Sequence, residues 1–186
     1  MKLWLGLWTA LLLAAPGAEP NDYAVIAVRD DIPAGTIVGP LKAGFLCLAA
    51  GRLRWDQIAR PSQDLLIARA QREISADADT DAPVPDPFER GAERGASAQY
   101  RVIVVIRAAR LKLCAAGLGI GERKPAGEGT VDAVVETQRT ADKARLPDRD
   151  ITVPIHLDGR DPRRDASVYA DIVADIARQY ALDAPR

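Results

Sequence analysis

The stretch YRVIVVIRAARLKL, Tyr100 to Leu113, is the longest strand-forming run in the chain. Val102 to Ile106 is apolar at every position, which suits a central strand buried on both faces. Arg110, Leu111, Lys112 and Leu113 then alternate, so one face of that half meets water. Cys114 ends the run. Gly129 to Gln138 follows, with Val131, Ala133 and Val135 on one side and Asp132 and Glu136 on the other. Ile151 to Leu157 repeats the pattern with Ile151, Val153, Ile155 and Leu157 inward. Pro154 has no N–H for a ladder, which predicts an edge strand.

Outward from this sheet, residues 166–182 form an amphipathic helix. Tyr169, Ile172, Val173, Ile176 and Tyr180 make one stripe, and Asp171, Asp175 and Arg178 lie away from it. Toward the N-terminus, Tyr23 to Val28 suits a short buried strand. Ser62 can cap a helix whose Leu66, Ile67, Ala70 and Ile74 share a face; Asp64 suits its positive end and Arg69 and Arg72 the other. Between them, Pro33, Gly35, Gly39, Pro40, Gly44 and Gly51 read as a loop covering the core. The predicted order is β-α-β-β-β-α. The fold class is α+β, with a mainly antiparallel sheet of about four strands and two amphipathic helices. Residues 76–98 are acidic at first and hold Pro83, Pro85 and Pro87, which predicts an exposed loop or linker.

Residues 1–18 have the layout of a secretory signal peptide: Lys2, an apolar run from Leu3 to Ala15, then Pro16-Gly17-Ala18. Cleavage is expected after Gly17 or Ala18. The apolar run is about 13 residues against the roughly 20 needed to span a bilayer, so a membrane anchor is not expected. Residues 19–186 then form a single domain without a transmembrane helix, in the periplasm or secreted. Trp55 is left as the sole tryptophan after cleavage, because Trp4 and Trp8 leave with the signal. The whole chain carries a net charge of −1; losing Lys2 leaves 24 basic side chains against 26 acidic ones. That balance argues against nucleic acid as a partner, which needs a concentrated basic face.

Cys47 and Cys114 are the only cysteines. In an oxidising compartment the pair reads as a disulfide; the alternative is a reactive thiol with His156, the only histidine, as its base. On its strand His156 sits opposite the inward row and faces the surface. Asp77-Ala78-Asp79-Thr80-Asp81 begins like a calcium loop, but Ala82 stands where a glycine is needed and Phe88 where a bidentate glutamate is needed. Gly117, Gly119 and Gly121 lie between two strands, whereas a phosphate cradle needs its glycines to open a helix. Neither a Ser–His–Asp set nor a metal-ligand cluster assembles from the spacing, and neither a cofactor nor a metal is expected. Paired carboxylates leave no fixed spacing, so an exported carboxylate-based hydrolase stays open; a cleft with two Asp or Glu side chains would favour it.

Two families are similar. Ala24 to Val38, AVIAVRDDIPAGTIV, resembles the opening of SAF domains, found in pilus and flagellar assembly chaperones. Val28-Arg29-Asp30, Val38-Gly39, Ser62 to Ile74, Tyr100 to Leu113, Gly127-Glu128-Gly129 and the last helix follow the element order of small bacterial envelope proteins of the YajG and ABC-transport-auxiliary type. The chain departs from their lipoprotein members in lacking a cysteine to acylate near the cleavage site. The second resemblance implies a non-enzymatic accessory or binding role with another envelope protein as partner. The first implies an assembly chaperone for surface appendages. The sheet face left uncovered by helices, with the loops around Trp55 and Phe88, is the expected contact surface.

Overall fold

A computed structural model describes residues 22–43, 46–75, 98–114 and 125–183. The elements run β1 Tyr23–Asp30, β2 Ile37–Ala43, β3 Leu48–Arg54, α1 Gln63–Ser75, β4 Tyr100–Cys114, β5 Ala126–Arg139, β6 Arg149–His156 and α2 Ser167–Asp183. The class is α+β with two helices, but the sheet has six strands rather than about four. The two unforeseen strands are β2 and β3, an antiparallel hairpin in the stretch expected as a loop. Its glycines serve pairing as well as turning. Gly39 lies where β2 nears β4, and a Cβ there would overlap the carbonyl oxygen of Leu111.

The 15-residue β4 organises the sheet. On one side it pairs antiparallel with β5, which pairs antiparallel with β6. On its other side β1 runs parallel to residues 100–106, and β2 meets it in parallel at Leu113 and Cys114. The sheet is therefore mixed but mostly antiparallel. As expected, β6 is an edge, and Pro154 sits on it.

Both helices pack on one face. Leu66, Ala70 and Ile74 of α1 are buried with Val25 and Val28 of β1. The stripe of α2, Tyr169 through Tyr180, is buried against Val131, Val135, Ile151 and Val153. The buried hydroxyls of Thr137 and Tyr180 pair at 2.8 Å, whereas among the described residues the buried Trp55 indole Nε1 has no acceptor. The Ser62 hydroxyl accepts a hydrogen bond from the Leu65 N–H at 3.4 Å, as its capping role requires.

Cys47 and Cys114 form a disulfide with their Cα atoms 5.4 Å apart. It ties the β2–β3 turn to the end of β4, and both sulfurs are thereby withdrawn from the thiol alternative. Among the described residues no helix is long and apolar enough to cross a membrane.

Candidate functional site

Trp55 was expected at a contact surface, but its indole is buried, at 1% exposure. After β3 the chain turns inward through a short 3-10 turn, Trp55–Gln57, and the ring meets Tyr169 of α2 at 5.9 Å between centroids. The Arg60 guanidinium lies over both rings, 5.4 and 5.5 Å from their centroids, and its Nε donates to Asp30 at 2.8 Å. Burial pushes the Tyr169 hydroxyl well above its usual range, with the charge and hydrogen bond of Asp30 adding to it. This cluster locks β1, the 3-10 turn and α2 together. The neighbours Arg54, Asp56 and Gln57 reach the surface, as do Asp30 and Arg60 of the cluster itself. Phe88, the acidic run 77–81 and the glycines at 117–121 lie outside the described residues. The strands flanking those glycines are antiparallel neighbours, as a hairpin connection requires.

Among the described residues no helix covers the second face of the sheet. It alternates with the core face along each strand. Val105 and Val134 are buried there beneath longer charged side chains. Arg110 and Lys112 of β4 stand beside Asp132 and Glu128 of β5, at 3.7 and 3.4 Å. Glu136 bridges Arg29 of β1, at 3.0 Å, and Arg145, at 3.1 Å. Thr152 of β6 donates to Asp132 at 2.8 Å. Base and acid are thus sorted by strand into adjacent stripes.

A cleft of about 210 Å³ opens on the helical side, between α1, α2 and the edge strand β6. Arg69, His156, Arg160, Asp171, Asp175 and Arg178 supply its polar lining. Asp171 is the hub: one oxygen accepts from Arg69 Nη2 at 3.0 Å and the other from Arg160 Nη1. Arg178 donates through Nε to Glu73 at 2.9 Å and through Nη1 to Asp175 at 2.8 Å. Burial holds the Asp175 carboxyl above the usual carboxylate range, against the pull of Arg178 and with help from Asp171 and Glu73. His156, at the end of β6, borders the cleft, but its strand position turns its side chain outward on the side of its partner Glu128. Two carboxylates therefore do share a cleft, and each accepts hydrogen bonds from arginine. Among the described residues no group of three or more His, Cys, Asp or Glu is placed to hold a metal.

The sequence reading placed Asp171, Asp175 and Arg178 on the outer face of their helix without assembling them into a site. Their spacing on one side of α2 was the available signal. The missing partner Arg69 is 102 residues from Asp171, and no local pattern joins them.

No family model matches the chain, and no curated protein matches it, so neither family resemblance gains a match. Solved structures do match. One is a crystal structure of a Xanthomonas campestris protein described under the family model DUF330. It is 12% identical, with a TM-score of 0.33, over 86% of this chain and 92% of that one.

Proposed function

We propose that the chain is an exported accessory protein of the bacterial cell envelope, a binding protein that meets another envelope protein through the uncovered face of its sheet. The observation that carries this reading is the Cys47–Cys114 disulfide, which staples the β2–β3 hairpin to the central strand. Such bridges form and persist in oxidising compartments and are rare in the cytosol. The signal-like residues 1–18 supply the route there. The striped face supports binding, because sorted charge selects partners and orients them more than it stabilises a fold. The cleft holds two Asp side chains, the feature that favours the carboxylate-based hydrolase as the second reading, although both accept from arginines.

The test is expression of the full chain in a bacterial host, followed by fractionation and mass measurement. The expected product is periplasmic or secreted, shorter by 17 or 18 residues, and blocks alkylation of both cysteines until reduced. Crosslinking in envelope extracts is expected to return a defined protein, and charge reversal at Arg110 and Asp132 to lose it. A full-length cytoplasmic product with two reactive thiols would refute the export reading. Turnover in a hydrolase screen with no crosslinked protein would refute the accessory role.

A further inference from the structure

The geometry points to a second, separate site: the cleft between α1, α2 and β6 receives a small oxyanion, a carboxylate or phosphate group, on the guanidinium groups of Arg69 and Arg160. This inference is independent of the partner surface, which lies on the opposite face of the sheet.

Charge comes first. Arg178 is taken up by Glu73 and Asp175, but Arg69 and Arg160 share the single carboxylate of Asp171. Donor capacity points the same way. A guanidinium offers five N–H donors in a planar fork that matches an oxyanion. Asp171 takes only Nη2 of Arg69, and among the described residues Nη1 of that side chain, which is 43% exposed, is not engaged. Arg160 spends Nη1 on Asp171 and on the Ser167 hydroxyl at 3.3 Å, and no other donor of its fork is engaged among the described residues. The shared carboxylate of Asp171 fixes both arginines before any ligand arrives, which lowers the ordering cost of binding. Size completes the description. At about 210 Å³ the cleft is below the roughly 300–1,000 Å³ of drug-sized pockets, so it suits a single small anion or the charged end of a longer molecule.

Backbone amides provide the measurement. Asp171 and Ile172 of α2 line this cleft, so their amide resonances in the nitrogen-labelled chain report the site. The full chain, held at pH 7.5 and constant ionic strength, is titrated with inorganic phosphate, with acetate and with chloride. Phosphate or acetate is expected to move the Asp171 and Ile172 amide resonances along a saturating curve, and chloride is expected not to. Whichever oxyanion binds more tightly identifies the source, phosphate or carboxylate. Arg160→Gln should weaken that binding at least ten-fold. Arg69→Gln, at the other guanidinium, leaves Asp171 paired with Arg160 and should also weaken binding, and urea unfolding of each variant separates lost binding from lost fold. A shift that chloride reproduces, a response without saturation, or affinity unchanged in the folded variants would overturn the assignment.

Discussion

Asp165 shows how much one side chain decides at the start of α2. Its carboxylate accepts from the Ser167 hydroxyl at 2.6 Å and from the Ser167 backbone N–H at 2.9 Å, and these two bonds hold its pKa below the usual carboxylate range. A pKa lowered by folding means stability that is present above the unfolded value and lost as pH falls through the folded one. Asp165→Ala is therefore expected to cost about 1 kcal/mol at neutral pH, the usual worth of a helix cap. In acid, below the ordinary Asp value of about 3.9, the wild-type and variant urea midpoints should converge. A gap that persists unchanged in acid would show that the carboxylate charge plays no part. Ser62 at the other helix was legible because cap, acid and apolar stripe follow one another along the chain. Asp165 was not, because the helix start at residue 166 offers no equally clear order of signals. Trp55 failed differently: a loop label carries no direction, and this turn points into the core.

At the scale of elements, the sequence revealed those with a period and missed those without one. β4, β5, β6 and α2 alternate or repeat over many residues, and their bounds were legible to within a few positions. The hairpin of β2 and β3 was hidden because Gly39, Pro40, Gly44 and Gly51 look like punctuation. Its partner strand, which gives Gly39 a steric purpose, lies about 70 residues away. β3 buries only Leu53 among its seven residues, so alternation had nothing to act on. With so little burial, the hairpin depends on the disulfide. A bridge closing a separation of 67 residues is worth about 2–4 kcal/mol through the unfolded chain. Replacing Cys47 and Cys114 together by serine should lower the unfolding free energy by that amount in urea. Amide exchange should accelerate first in β2 and β3, while β4 and β5 stay protected. Uniform acceleration across the sheet would mean that the bridge stabilises the whole domain and not this element.

The sheet has two faces of different chemistry, and substitutions should separate them. The helical face holds the apolar core, where Ile176 is fully buried against the sheet. Cutting it to alanine removes three carbons from a packed site and should cost about 2–5 kcal/mol. The opposite face carries ion pairs that water screens: the Arg110 side chain is 77% exposed and its contact with Asp132 spans 3.7 Å. Exposed pairs of this kind contribute about 0–1 kcal/mol, because solvation and side-chain freedom offset the attraction. Exchanging the two charges, Arg110→Glu with Asp132→Arg, keeps a pair in place and should change stability by less than about 1 kcal/mol. The same exchange reverses the order of the stripes that a partner would meet. Urea unfolding and capture from envelope extract, run on both variants, then give opposite patterns. Ile176→Ala lowers stability but retains capture wherever the protein remains folded, and the charge exchange loses capture at nearly unchanged stability. If the charge exchange is instead as destabilising as the core truncation, the striped face is holding the sheet together, and the partner surface must be sought elsewhere on the domain.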